Sequence, residues 1–179
     1  MLYDHGQPDH LLPLGRQFVA GILHHLPALC AVTAPSVASY YRLRPNRWAP
    51  TVADLGALDR AAAVRICPLQ AGDAARRARQ FNLEFRVADA TASPYLALAV
   101  MVQAGLDGIR ESRVVDPAAR RPLPASLPEA LQRLEATRAA AAWLGPDVLD
   151  AYLRFKRAEF HGLEAQDETE VCRRYAEFY

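Results

Sequence analysis

Residues 81–87 read Phe81-Asn82-Leu83-Glu84-Phe85-Arg86-Val87. Apolar and polar side chains alternate at every position, which is the period of a strand with one covered face. Phe81, Leu83, Phe85 and Val87 share one side, and Asn82, Glu84 and Arg86 share the other. A slip of one residue would bury Glu84 and Arg86 without partners, so the pattern fixes the register. A second strand is expected from Ala61 to Cys67, with Ala62, Val64 and Ile66 on one face and Arg65 on the other. Between them, the arginine-rich stretch Ala74 to Gln80 reads as an exposed loop or turn.

Outward from these strands the pattern turns helical. Phe18, Ile22 and Leu26 recur at helical spacing within residues 14–30, and Pro27 is expected to end or kink that helix. Residues 31–60 read as loop, punctuated by Pro35, Pro45 and Pro50. Ser93-Pro94 is an N-cap and first-turn pair for a helix running to about Gly105 or Gly108. After a proline-bearing loop from Val115 to Ala125, Ser126 and Glu129 form a capping-box pattern for a helix stopped by Gly145. Asp147 to His161, closed by Gly162, and Asp167 to Phe178 complete a helical tail. Strands first and helices after is an α+β order.

The chain has 179 residues, 51% of them hydrophobic, enough for one domain with a core. With 21 basic and 20 acidic residues the formal net charge is +1, which gives no electrostatic case for nucleic acid or an anionic membrane as partner. The run Arg76, Arg77, Arg79 is a poor nucleic-acid footprint on its own. The first ten residues hold no apolar signal region, and the apolar stretches Phe18–Val32 and Tyr95–Val102 are broken or too short to span a bilayer. Cys30, Cys67 and Cys172 are odd in number and widely spaced, as expected of reduced, mostly buried thiols in a cytoplasmic protein.

The chemistry sits on the polar side of the strands. Glu84 and Arg86 are two residues apart on one strand, Arg65 belongs to the neighbouring one, and Arg60 lies just before it. A carboxylate among arginines suits a site for a divalent ion and anionic phosphates. On pattern alone, the same face also reads as a solvated sheet surface with weak ion pairs.

Longer stretches carry a resemblance. Asn82 to Arg86, Asp89 to Leu96 (Asp-Ala-Thr-Ala-Ser-Pro-Tyr-Leu) and Ala104-Gly105-Leu106-Asp107-Gly108-Ile109 resemble the end of the glutamine synthetase catalytic domain. Upstream, Phe18-Val19-Ala20-Gly21-Ile22-Leu23 with Pro27-Ala28-Leu29, Ser39-Tyr40-Tyr41-Arg42-Leu43 with Pro45, and Asp59-Arg60-Ala61-Ala62-Ala63-Val64-Arg65-Ile66 ending at Pro68 match the same family in the same order. The matching blocks run from about residue 14 to residue 110. The tail from about 126 to 179 is compatible but less specific.

The resemblance implies the C-terminal portion of that catalytic domain: antiparallel strands packed against helices, then a helical tail. The N-terminal β-grasp domain and the first half of the catalytic domain, with most metal-binding glutamates, are expected to be absent from these 179 residues. It implies an ATP-dependent ligase that joins glutamate to ammonia or an amine through a γ-glutamyl phosphate, with Mg²⁺ or Mn²⁺. Arg42 would grip the glutamate carboxylate. Arg60 would touch both the nucleotide and the transferred group, acting in catalysis. Arg65 would contact ATP phosphate, Glu84 would bind the metal, and Arg86 would hold glutamate or the acyl phosphate. His5 and His10 lie in a non-matching lead and read as ordinary loop histidines; His24 and His25, on or near the first helix, read as structural. With one metal carboxylate, the isolated chain is expected to be inactive. A homo-oligomer, or assembly with a full-length or N-terminal glutamine synthetase-like subunit, is expected, as is the alternative of a non-catalytic remnant or interaction module.

Two departures stand out. Where ammonia-using members carry a Gly-Tyr-Glu-Ala-Pro-like flap, this chain reads Asn46-Arg47-Trp48-Ala49-Pro50. Trp48 replaces the glutamate, either to pack against an apolar or aromatic amine or simply to anchor the loop. The family's Arg-x-Glu-x-Arg becomes Asn82-Leu83-Glu84-Phe85-Arg86, which removes one nucleotide-contacting cation; Arg79 is the candidate substitute. Both changes are like those of divergent, glutamine synthetase-like amine ligases.

Overall fold

The computed structural model describes residues 3–7, 9–70 and 72–177. Its centre is α1, Pro13–Thr33. The helix does not end at Pro27. That proline has no N–H for the carbonyl of Leu23, but the guanidinium of Arg121 donates to that oxygen at 2.9 Å. The side chain replaces the missing backbone bond and the helix continues for another turn and a half.

The largest partner of α1 is α4, Pro94–Arg110. A methyl group on Gly21 would lie 2.2 Å from the carbonyl oxygen of Ala104 and 2.7 Å from Cα of Gly108. One on Gly105 would run into the Phe18 ring at 2.2 Å. The glycines that read as stops therefore lie inside α4, where they let two backbones touch. Ser93 is the N-cap of α4 by position, without a side-chain cap bond.

The stretch expected as loop contains α2, Ser39–Arg42, and two short strands, β1, Val52–Ala53, and β2, Leu55–Ala57. β3, Val64–Ile66, and β4, Leu83–Phe85, occupy the centres of the two expected strands and pair antiparallel, with Arg65 opposite Glu84. β2 joins the other edge of β3 in parallel. Three-residue strands are short enough for residues 58–63 to carry the chain back to the starting end. β1 pairs antiparallel with β5, Arg121–Pro122, which lies in the proline-bearing segment. Residues 74–80 are a helix, α3, and not a loop: Asp73 caps it by accepting from the backbone N–H of Arg76 at 2.7 Å.

The tail is helical, as expected, with one division. α5, Leu127–Ala136, and α6, Ala140–Leu144, are separate because Thr137 takes the Arg133 carbonyl with its own hydroxyl at 2.8 Å. Ser126 accepts from Glu129 N–H, and the Glu129 carboxylate reaches back to Ala125 N–H at 3.0 Å. Gly145, at φ 80°, stops α6. α7, Pro146–His161, ends at Gly162, and α8, Glu168–Ala176, is capped by Asp167; the expected end at Phe178 lies outside the described residues.

α1 packs against α4 and α5, α6 joins α4, and α7 closes on α5 and α6. Val64 and Val87 carry the sheet into the same core as Leu26, Leu29, Val100 and Leu131. The α+β expectation holds. The expectation of mostly buried thiols is corrected: Cys30 is buried, Cys67 is half-buried and Cys172 is exposed. Among the described residues no helix is long and apolar enough to cross a membrane.

Candidate active-site face

The β3–β4 ladder decides the geometry. Antiparallel partners directly opposite each other share a face, so Arg65 and Glu84 stand side by side, with Arg65 Nε 3.0 Å from Glu84 Oε2. The contact is an ion pair by distance, but the Nε–H does not point along it, and Nε makes no hydrogen bond. Arg86, two residues along β4, donates from Nη1 to Glu84 Oε1 at 2.7 Å. The two guanidiniums therefore flank one carboxylate. Their side chains are 17% exposed and that of Glu84 is 40% exposed, so the carboxylate is the open element of the cluster.

Arg86 is held on all sides. Its Nε donates to the carbonyl of Arg60 at 3.0 Å and its Nη2 to that of Trp48 at 3.1 Å. These contacts bring the Arg60 segment and the Trp48 loop to the same face. The Arg60 side chain itself is exposed and, among the described residues, takes part in no hydrogen bond or ion pair.

Trp48 joins this assembly through its backbone. Trp48 is 77% exposed and has φ 53°, so packing of the ring does not anchor the loop; the bond from Arg86 to its carbonyl does.

Arg42, at the end of α2, lies at the exit of β4. It donates to the carbonyls of Arg86 at 3.1 Å, of Val87, and of Ala88 at 3.4 Å, and lies 3.8 Å from Asp89. Asp89 in turn accepts from the N–H and hydroxyl of Thr91, while its own N–H donates to Thr33 at the end of α1. Arg79 sits exposed on α3 and has no contact with the cluster.

One neighbour escaped the sequence reading. Cys67 Sγ lies 3.8 Å from Arg65 Nη2 and 4.0 Å from Glu84 Oε2. The signal was present, because residues two apart on a strand share a face, and Cys67 follows Arg65 by two.

The donor set offers a divalent ion one hard carboxylate ligand beside cations suited to phosphate oxygens. Among the described residues, no three of His, Cys, Asp or Glu gather to complete a metal shell. His24 and His25 lie elsewhere, beside Arg113, Asp107 and Trp143.

Comparison with known proteins identifies the family. The glutamine synthetase catalytic-domain family matches residues 1–175. A gamma-glutamylpolyamine synthetase of Streptomyces coelicolor is 40% identical over 174 residues, covering 88% of this chain and 37% of its own length. A glutamine synthetase of Mycobacterium bovis is 37% identical over 169 residues, covering 86% of this chain and 37% of its own. Among solved structures, a novel glutamine synthase homolog superposes with a TM-score of 0.91 at 43% identity, over 99% of this chain and 42% of that one. A GmaS/ADP complex gives 0.74 at 29% identity, over 93% and 40%. The chain thus spans well under half the length of each of these relatives. The protein belongs to the glutamine synthetase family, and its match is to the catalytic domain.

Proposed function

We propose that this chain supplies the C-terminal part, residues 1–179, of a glutamine synthetase-type ligase that uses ATP to join glutamate to ammonia or an amine through a γ-glutamyl phosphate. The Arg65–Glu84–Arg86 cluster carries this reading: fixed cations on both sides of one partly exposed carboxylate. Glu84 is the metal-binding group. A Mg²⁺ or Mn²⁺ ion bound there would neutralise phosphoryl oxygens. Arg65 and Arg60 face ATP phosphates, and Arg60, whose guanidinium is unengaged, follows the transferred group as the catalytic cation. Arg86 holds glutamate or its acyl phosphate, in a position pre-set by the Arg60 and Trp48 carbonyls.

Arg42 is the substrate-side arginine by family position. Its three backbone carbonyls make it first a brace for the end of β4, which aims Arg86; a direct grip on glutamate requires it to release at least one of them. The exposed Trp48 indole, in place of a glutamate, suits an acceptor larger than ammonia, and the relative named a gamma-glutamylpolyamine synthetase supports that direction.

The site of the isolated chain is incomplete, with one metal carboxylate. A coupled assay of ADP release tests this: the 179-residue chain alone gives no glutamate-dependent ATP turnover. Turnover by the chain alone overturns the incomplete-site reading.

A second reading is an interaction module that associates with a glutamine synthetase-like subunit. Tyr95, Leu98 and Val102 favour it, as exposed apolar side chains at helical spacing along α4. Co-elution with a full-length family member on size exclusion, without gain of activity, supports it over the first. Either assembly, or a homo-oligomer, fits a cytoplasmic ATP-using protein.

A further inference from the structure

A cleft of about 920 Å³ opens between α1, the end of α5 and the segment after α4, and it shares no residue with the Glu84 face. Four guanidiniums line it, those of Arg113, Arg121, Arg133 and Arg138, against one carboxylate, Glu111. In a chain of net charge +1 this is a strong local excess. The size falls within the range of about 300–1,000 Å³ typical of small-molecule sites.

Two of the cations are fixed by the fold, while Arg133 and Arg138 are exposed at the rim and Arg133 pairs with Glu129 at 3.4 Å. Arg121 is fixed by its bond to the Leu23 carbonyl and by the β1–β5 pairing. Arg113 pairs with Glu111, and its Nη1 lies 3.0 Å from His24 Nδ1. Its Nε is buried and has no hydrogen-bond partner. Among the described residues Arg138 makes no ion pair or hydrogen bond. Burial first, then the Arg113 and Arg121 charges, push the His24 pKa below its ordinary value. Glu111 and Glu129 answer two of the four cations; among the described residues Arg121 and Arg138 have no carboxylate partner, so the cleft keeps a positive excess, and planar guanidiniums match phosphate and carboxylate oxygens in pairs.

We propose that this cleft binds a small polyanion bearing phosphate or carboxylate groups, gripped by Arg113, Arg133 and Arg138, with the His24 imidazole at its wall.

The test follows the His24 and His25 imidazole resonances of the 179-residue chain by NMR. Sodium pyrophosphate and sodium citrate are titrated separately against sodium chloride of equal ionic strength. A saturable shift with either anion, absent with chloride, is expected, and the anion that produces it fixes the ligand class. Arg138→Glu weakens binding at least tenfold, Arg133→Gln weakens it less, and Arg86→Ala leaves it unchanged. Neither substituted residue supports another element through its side chain as Arg121 does, so both variants fold. Shifts no larger than those with chloride, or binding indifferent to Arg138→Glu, overturn the proposal. Binding lost in Arg86→Ala places the anion on the Glu84 face and overturns it as well.

Discussion

Arg65 and Glu84 face each other across the β3–β4 ladder, and Arg86 closes on the second oxygen of the same carboxylate. The carboxylate is partly open to solvent, so the ion pairs themselves contribute little stability, roughly 0–1 kcal/mol each. Glu84→Gln removes both pairs and is therefore expected to lower stability by no more than about 2 kcal/mol in urea unfolding. The same change removes the hard anionic ligand. Mn²⁺ is expected to broaden signals near Arg86 in the native chain and to leave them sharp in Glu84→Gln. Equal broadening in both would remove Glu84 from the metal role.

Arg42 ties α2 to the end of β4 through three carbonyl oxygens. An ammonium group cannot reproduce a forked guanidinium. Arg42→Lys is expected to cost about 1.5–3 kcal/mol, the scale of hydrogen bonds to charged groups. The urea midpoint falls accordingly, and amide exchange at residues 86–88 quickens relative to the core of α1. Unchanged exchange there would show that the brace is dispensable.

The contact of α1 with α4 depends on Gly21 and Gly108. A methyl on Gly21 meets backbone atoms, which cannot rotate away as side chains do. Gly21→Ala should cost at least about 1–3 kcal/mol, the usual penalty of overpacking. In a chain of this length that lowers Tm by roughly 2–4 °C per kcal/mol. Gly6→Ala, at a site with only one atom at 3.4 Å, serves as the control and should leave Tm within a degree or so.

His25 packs edge-on against both Trp143 and His24. Burial first, then the neighbouring His24, bring its pKa down to about 4, against a partial offset from Asp107. Its charged form is thus disfavoured in the folded state. Between the ordinary value of 6.5 and about 4, the unfolded chain binds the extra proton. Stability is therefore intact above pH 6.5 and falls as pH drops toward 4. The expected loss is on the order of 2 kcal/mol. His24, shifted the same way, adds to it. Urea midpoints at pH 7 and pH 5 measure the slope, and His25→Gln should flatten it. A slope unchanged in that variant would assign it to other groups.

The three thiols differ in access. Cys30 is buried, and burial pushes its thiol up to about 12, whereas Cys172 is exposed and Cys67 half-buried. A thiolate-selective reagent at pH 8 should label Cys172 first, Cys67 next, and Cys30 only after denaturation. Rapid labelling of Cys30 in the native chain would mean that α1 opens on the timescale of the reaction.

Local chemistry was legible in the sequence. The alternation from Phe81 to Val87 placed Glu84 and Arg86 on one face, because a strand has period two whatever surrounds it. The cap at Ser126 and the stop at Gly145 followed from backbone groups that each helix end must satisfy. What the sequence could not decide was everything that depends on a distant residue. Pro27 reads as a helix end until Arg121 arrives to take the Leu23 carbonyl. Gly105 and Gly108 read as stops until α1 packs against them. The face-sharing of Arg65 with Glu84 required the β3–β4 register, and the basic cleft required Arg113, Arg121, Arg133 and Arg138 to converge from separate segments. Periodicity and capping act over a few residues and are written locally; a carbonyl's substitute donor, a close helix crossing and a charge cluster are set by groups far apart in the chain, and only the packed structure brings them together.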